Sequence, residues 1–223
     1  MKKLLLLLII PLLSFGQEIN YTKTKNLQFC DYSGKLIDAY TWFDALGKNT
    51  LIISKKEGIV TNYSGSPSEE KENVIKKIYA YHYVGNNKNN IELLWDMKDY
   101  SDLEIYYDDI LISDWDYDGV AETCIIYSKR MSSKDEYYIE EIGDWHETMW
   151  SAAEVKLIMH EAKKKYAIRG YLEDNGDECI GLEYNMYGKN SFSDAPNTFK
   201  LNAKNLFFKN TWDCEESDSF PSK

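Results

Sequence analysis

A short stretch in the middle of the 223-residue chain carries four carboxylates at closely spaced positions. It spans residues 113–122 and reads SDWDYDGVAE. The acids occupy loop positions 1, 3, 5 and 9, as Asp114, Asp116, Asp118 and Glu122. A hard divalent cation such as Ca²⁺ takes six to eight oxygen ligands, and alternate residues of a tight loop can turn their side chains inward to supply them. The residue types and their spacing therefore predict a structural Ca²⁺ site.

Two further residues of the loop fit the same interpretation. Gly119 at position 6 permits a sharp turn, which brings the backbone carbonyl of Val120 to face the ion at position 7. An EF-hand requires a glutamate at position 12, where this chain has Ile125, and the flanking segments are typical of strands. We therefore expect a strand–loop–strand site in which the ion holds two strands together. The alternative is a solvated acidic turn that binds nothing.

Few patterns in the chain are typical of catalytic sites. The histidines are His82, His146 and His160. The last two are each followed by a glutamate, but neither pair is followed by the second histidine that a zinc protease helix needs. The sequence contains no G-x-S-x-G elbow and no phosphate loop. A glycosidase needs only two suitably spaced carboxylates, which 37 acidic residues easily supply. The sequence predicts no catalytic residue, and a glycan-active enzyme with paired carboxylates stays open as an alternative.

An aromatic and acidic segment over residues 137–150 offers a different kind of site. Trp145 and Trp150, together with Tyr137 and Tyr138, could form a flat platform on which a sugar ring stacks. Aromatic side chains more often complete a core or anchor a loop, which is the competing interpretation. The two tryptophans are the candidate glycan-binding residues.

Three pairs of strand-like segments predict hairpins around these sites. Each pair is rich in β-branched and aromatic residues and is joined by a turn. The pairs are 35–43 with 50–54, 74–84 with 91–97, and 154–161 with 165–172. Consecutive hairpins imply antiparallel pairing. The predicted fold class is mainly β, within the α+β group, as an antiparallel meander or layered sheet with a C-terminal helix packed on it.

The C-terminal region has helical periodicity. One face carries apolar residues at the helical spacing, namely Phe199, Ala203, Leu206 and Phe207. Pro196 is tolerated in the first turn of a helix. The sequence therefore predicts a helix over about residues 196–212 whose apolar face packs on a sheet.

The first sixteen residues have the layout of a secretory signal peptide. Lys2 and Lys3 precede an apolar run from Leu4 to Leu13, and small residues follow at the cleavage point. A membrane anchor needs about 20 apolar residues, so this run is too short. No later segment is apolar enough to span a membrane. We expect residues 1–16 to be removed and residues 17–223 to form a single β-rich domain in the periplasm or at the cell surface.

The excess of acidic over basic residues argues against a partner with a phosphate backbone. The chain has 37 acidic and 26 basic residues, and removal of the signal peptide takes away two lysines, which leaves 24 basic residues and a net charge of −13. Such a surface repels a phosphate backbone. We therefore expect no nucleic-acid partner.

All four cysteines lie in the exported part of the chain, as Cys30, Cys124, Cys179 and Cys214. An even count in an oxidising compartment predicts two disulfides, with three possible pairings. Four buried free thiols are the alternative.

Four segments, taken in order, form a recognisable set. They are WFDALGKN at residues 42–49, ELLWDMKD at 92–99, SDWDYDGVAE at 113–122 and KLIMHEAKKKYAIRG at 156–170. Together they resemble a family of exported Bacteroidota proteins labelled surface polysaccharide biosynthesis proteins. The acidic loop by itself is similar to the calcium loop of FG-GAP-type β-repeats. The family resemblance implies an envelope or secreted location and a link to surface glycan, and it carries over no catalytic residue.

These observations together predict an exported, Ca²⁺-binding, β-rich protein that assists or recognises surface polysaccharide without catalysing a reaction. The alternatives are a glycan-active enzyme and an envelope scaffold that binds other proteins.

Overall fold

Antiparallel strands dominate the computed structural model, which describes residues 17–62, 70–139, 144–174, 179–185 and 192–209. Within these ranges the chain forms eleven strands and one helix. The strands are β1 (Gln17–Glu18), β2 (Thr22–Lys23), β3 (Lys35–Asp44), β4 (Gly47–Asn62), β5 (Glu70–Val84), β6 (Glu92–Tyr100), β7 (Glu104–Asp114), β8 (Glu122–Ile139), β9 (Asp144–Glu161), β10 (Lys164–Asp174) and β11 (Cys179–Asn185). The helix is α1 (Asn197–Lys209).

The strands form two sheets, each of which is largely a meander. The five-stranded sheet has the order β2-β3-β4-β5-β6, and the six-stranded sheet has the order β1-β7-β8-β9-β10-β11. Every pairing within them is antiparallel. The three predicted hairpins are β3–β4, β5–β6 and β9–β10. The prediction of a mainly β, layered antiparallel fold with a C-terminal helix is confirmed.

The main hydrophobic core lies between the two sheets. Leu51 and Ile78 contribute from the five-stranded sheet, and Ile112, Ile125 and Ile158 contribute from the six-stranded sheet. All five are at most 3% exposed. Since burial of one such side chain stabilises the fold by about 1.5–3 kcal/mol, this cluster is the main force that holds the sheets face to face.

A second core forms between the six-stranded sheet and α1. Phe199, Ala203 and Phe207 of α1 are completely buried, and they pack in one cluster with Leu157 of β9 and Tyr166 of β10. These helix residues belong to the apolar face that the sequence predicts. The helix begins one residue after the predicted start, and residues 210–212 of the predicted span lie outside the described residues.

The prediction of two disulfides does not hold in this structure, because Cys30 and Cys124 are free thiols. Cys124 is buried under α1 in the second core, whereas Cys30 packs against a third cluster, around Ile52 of the five-stranded sheet. The two thiols therefore lie in different layers of the fold. The side chain of Cys179 and all of Cys214 lie outside the described residues.

The predicted signal peptide, residues 1–16, also lies outside the described residues. Within the described ranges, α1 is 13 residues long, and no helix there has the length and hydropathy needed to cross a bilayer.

Candidate metal centre

The acidic loop joins β7 to β8 at one end of the sheet stack. The two strands are antiparallel partners, and their last pair before the loop is Ser113 with Glu122. This register places the first and last acids of the loop beside each other, although they are eight positions apart in sequence. The strand–loop–strand context expected from the sequence is therefore the observed one.

The structure gathers four predicted ligands into one cluster. One carboxylate oxygen from each of Asp114, Asp116, Asp118 and Glu122 lies within 4.8 Å of the others. The two acids at the strand ends are buried, with Asp114 2% and Glu122 1% exposed, whereas Asp116 is half-buried and Asp118 is exposed. The cluster thus has a closed inner side and an open outer side, through which a small ion could enter.

The backbone of the loop is folded by its own side chains. Tyr117 and Gly119 both adopt left-handed φ values, 64° and 87°. Asp114 Oδ2 accepts a hydrogen bond from the Gly119 N–H at 3.1 Å, and Asp118 Oδ1 accepts one from the Val120 N–H at 2.7 Å. A side chain at position 119 would meet only the Ala45 methyl at ordinary distance, so glycine is required there by its φ angle and not by lack of space.

Two oxygen atoms in the cluster are buried without a hydrogen-bond donor. Among the described residues, Asp114 Oδ1 and Glu122 Oε1 have no partner, although the second oxygen of each group accepts a backbone N–H. A buried carboxylate oxygen without a partner is costly. A hard cation would satisfy both atoms, and carboxylate oxygens are the ligands that Ca²⁺ prefers. The residues present therefore fit a calcium ion.

The electrostatics of the cluster favour the same chemistry. Burial, helped by the charges of Asp116 and Asp114, raises the pKa of Glu122 to about 8 in spite of the hydrogen bond from the Trp115 N–H. Burial and the neighbouring Asp118 also raise the pKa of Asp116. Both shifts mean that these carboxylates lack positive charge nearby. A proton or a cation must supply it.

A residue outside the loop ties the cluster to the other sheet. Asp44, at the end of β3, accepts hydrogen bonds through Oδ2 from the Ala121 N–H at 3.1 Å and from Trp42 Nε1 at 3.0 Å. The Ala45 N–H in turn donates to the Gly119 carbonyl at 2.7 Å. The loop is therefore docked on the β3–β4 turn. No local sequence pattern marks Asp44, because its contact with Ala121 spans 77 residues.

The other predicted site residues have different outcomes. Val120 lies in the loop between Asp118 and Glu122, and its carbonyl as a metal ligand stays a prediction. Trp145 and Trp150 lie on β9, opposite Tyr138 and Ser133 of β8. The side chains of both tryptophans are outside the described residues, so the glycan platform stays a prediction.

A second charged cluster, also unrecognised in the sequence, lies farther along β8 and joins this strand to β9 and to β6 of the other sheet. This inter-sheet ion network consists of Asp99 on β6, Lys129 on β8, and Glu154 and Lys156 on β9. Lys156 Nζ is 2.7 Å from Asp99 Oδ2 and 3.1 Å from Glu154 Oε2, and Lys129 Nζ is 2.6 Å from Glu154 Oε2. Two cations thus match two carboxylates across the gap between the sheets.

Two histidines lie buried between these clusters. The rings of His160 and Trp95 stack with centroids 3.8 Å apart, and His82 bonds through Nε2 to Asn49 Oδ1 at 2.9 Å. Burial lowers the pKa of His82 to about 4 and that of His160 to about 3. Both imidazoles are therefore neutral core residues at ordinary pH.

Compared with known proteins, the chain matches no protein-family model, no curated protein and no solved structure.

Proposed function

We propose that this protein is an exported Ca²⁺-binding β-protein that assists or recognises surface polysaccharide and catalyses no reaction. The observation that carries the calcium part is the pair of buried oxygens without partners, Asp114 Oδ1 and Glu122 Oε1, inside a cluster of four carboxylates. The similarity of the loop to FG-GAP calcium loops supports the same ion.

In this proposal Asp114, Asp116, Asp118, Glu122 and the Val120 carbonyl hold the ion. When bound, Ca²⁺ supplies the positive charge that the carboxylates lack, and it performs no chemistry on a substrate. Because the loop is hydrogen-bonded to the β3–β4 turn, an ordered loop also holds that turn in place. The role of the ion is thus to fix one end of the sheet stack.

Export and the glycan link depend on the sequence. The layout of residues 1–16 supports secretion, and the four ordered segments support a surface polysaccharide context. The buried, neutral state of His82 and His160 favours a binding protein over an enzyme that uses a histidine base, because neither ring reaches solvent.

Calorimetric titration of residues 17–223 with Ca²⁺ tests the calcium part. The variant Asp116→Ala, Asp118→Ala removes two ligands that are not fully buried, so it is expected to fold and to lose Ca²⁺ binding. The control Asp31→Ala, Asp96→Ala removes the same charge from exposed positions outside the loop and should bind Ca²⁺ like the wild type. At a tenfold excess of Ca²⁺ over its dissociation constant, wild type should gain about 1.4 kcal/mol in unfolding free energy.

Equal stability of the wild-type protein in Ca²⁺ and in chelator would refute the calcium part. The glycan part is tested by incubating the protein with isolated cell-surface polysaccharide. Retention of the protein on the polysaccharide without release of reducing ends is expected. Release of reducing ends would instead support the glycan-active enzyme, and binding to envelope proteins alone would support the scaffold.

A further inference from the structure

The outer face of the five-stranded sheet carries a regular set of lysine and tyrosine side chains. Lys77 of β5 is the direct cross-strand partner of both Lys56 on β4 and Tyr100 on β6. Two residues farther along β5, on the same face, Tyr79 is the partner of Lys98 on β6. Direct cross-strand partners project from the same side of a sheet. We call these five residues the Lys–Tyr face.

This face points away from the core. Ile78 of β5 and Met97 of β6, which alternate with the face residues, belong to the cluster between the sheets. Ser33 covers the neighbouring part of this side of the sheet, and its carbonyl accepts a hydrogen bond from the Ser54 hydroxyl at 2.6 Å. Beyond that point the sheet is open, and Tyr100 is 62% exposed.

The lysines of the face stand apart from the ion pairs that the described part of the chain forms. Among the residues that the structure describes, no carboxylate forms an ion pair with Lys56, Lys77 or Lys98. The three ammonium groups share this side of the sheet with one exposed carboxylate, Asp96, two residues before Lys98 on β6, in a chain whose expected exported form carries a net charge of −13. A local excess of ammonium groups over carboxylates on an otherwise acidic chain favours an anion at this face.

A cleft adjoins the face at the end of β6. It has a volume of about 510 Å³, within the range of ligand pockets, about 300–1,000 Å³, and is lined by Lys76, Lys77, Lys98, Tyr100, Ser101 and Asp102. Lys76 Nζ donates a hydrogen bond to the Asp102 carbonyl, which fixes a further positive charge at the edge of the cleft. The cleft thus combines ammonium groups with an exposed aromatic ring.

We propose that the Lys–Tyr face and its cleft bind an acidic polysaccharide. The ammonium groups of Lys56, Lys77 and Lys98 pair with carboxylate or sulfate groups of the glycan, and the Tyr100 ring stacks on the apolar face of a sugar ring. A neutral glycan would use the ring but not the lysines. This inference rests on the proposed function and names the class of polysaccharide that the protein recognises.

Affinity electrophoresis of residues 17–223 through gels that contain hyaluronan, chondroitin sulfate or neutral dextran tests the inference. Retardation by the two acidic polymers and none by dextran is expected. The variant Lys56→Gln, Lys77→Gln, Lys98→Gln should weaken binding to the acidic polymers by at least about tenfold, because three ion pairs are lost. The matched control Lys25→Gln, Lys88→Gln, Lys209→Gln removes the same charge from exposed lysines elsewhere and should bind like the wild type.

Substitution of Tyr100 separates stacking from charge. Tyr100→Ala should weaken binding by about fivefold, and Tyr100→Phe should retain it, because the phenylalanine ring keeps the stacking surface. Equal weakening in both variants would show that the ring does not stack on the glycan.

Equal loss of binding in the two triple-lysine variants would overturn the inference, since net charge alone would then explain it. Equal affinity for a single-stranded DNA oligonucleotide would overturn it as well, because the face would then be a general polyanion site. Calcium calorimetry on the same variants keeps the two proposals apart. Unchanged Ca²⁺ binding together with unchanged glycan binding in Lys56→Gln, Lys77→Gln, Lys98→Gln refutes the Lys–Tyr face and leaves the proposed function intact.

Discussion

The acidic loop and the inter-sheet ion network are two clusters of charged side chains that both include residues of β8, and their buried carboxylates are neutralised differently. In the network, Asp99 and Glu154 are matched by Lys129 and Lys156 at distances of 2.6–3.4 Å. In the loop, the described residues provide four carboxylates and no cation within the cluster. Within the described residues the charges of the network are balanced by lysines, whereas those of the loop are not.

The difference is visible in the pKa values of the two clusters. Burial favours the protonated form of Asp99, but hydrogen bonds from Lys156 and Tyr127 outweigh it and lower the pKa of this carboxyl. Burial instead raises the pKa of Glu122 to about 8. A carboxylate that is buried with its counter-charge has a structural role, and one that is buried without it is a candidate ligand.

The largest effect on the free energy of unfolding is expected from acidification, through the two buried histidines that lie between the clusters. His82 and His160 stay neutral in the folded protein above pH values of about 4 and 3, whereas an unfolded histidine has a pKa of about 6.5. The unfolded state therefore binds more protons as the pH falls below 6.5, and the free energy of unfolding decreases. The two histidines together should contribute a loss on the order of 4 kcal/mol between pH 6.5 and 4.5, which the raised pKa of Glu122 partly offsets, as measured by urea denaturation.

The variant His160→Phe provides the control for this pH effect, because phenylalanine keeps a ring against Trp95 and does not titrate. Over this range the variant should lose about 2 kcal/mol less stability than the wild type. The opposing contribution of Glu122, whose raised pKa favours the folded state at lower pH, is common to both proteins and cancels in the comparison. An identical pH dependence of the two proteins would contradict the assignment to the histidines.

Removal of one member of the network should give an intermediate effect. Asp99→Asn leaves two largely buried lysines with one carboxylate, and the side chains involved are only 11–17% exposed. The unfolding free energy should fall by about 2–3 kcal/mol, and by the same amount in Ca²⁺ and in chelator. Asp96→Asn, at an exposed position of the same strand, is the control and should have little effect. A loss that depends on Ca²⁺ would show that the two clusters are coupled.

An exposed ion pair should give the smallest effect. Lys163 and Glu92 are 2.9 Å apart, but both side chains are 67% exposed. Lys163→Ala should change the unfolding free energy by no more than about 0.5 kcal/mol, because solvent screens the pair. A change above about 1 kcal/mol in urea denaturation would mean that burial does not explain why the network contributes more to stability than an exposed ion pair.

Local features were predictable from the sequence. The carboxylate spacing around Gly119 identified the loop because its geometry is set by neighbouring residues, and the apolar face of α1 followed from helical periodicity. The strand ends were less predictable. β4 extends to Asn62, whereas the prediction stopped at residue 54, because the polar residues that follow carry no strand pattern.

Contacts between distant segments were not predictable. The pairing of Asp99 with Lys156 spans 57 residues, and it depends on how one sheet lies over the other. The disulfide prediction used the even number of cysteines and the expected compartment, and it was wrong because Cys30 and Cys124 are free thiols, each packed in a different layer. The burial that leaves Asp114 Oδ1 without a donor is likewise a property of the packed sheets.

The hydrogen bonds of Asp44 to the loop have a mechanical consequence. The β7–β8 hairpin is fastened to the five-stranded sheet near its tip through Asp44 and again near its middle, where Tyr127 of β8 donates to Asp99 at 2.7 Å. Two hydrogen-bonded contacts at different points of one hairpin resist sliding and rotation of the two sheets, whereas a single contact would resist rotation less. Loss of the contacts at the tip would therefore loosen that end of the two layers, while the core between the sheets and the contact at Tyr127 keep them packed.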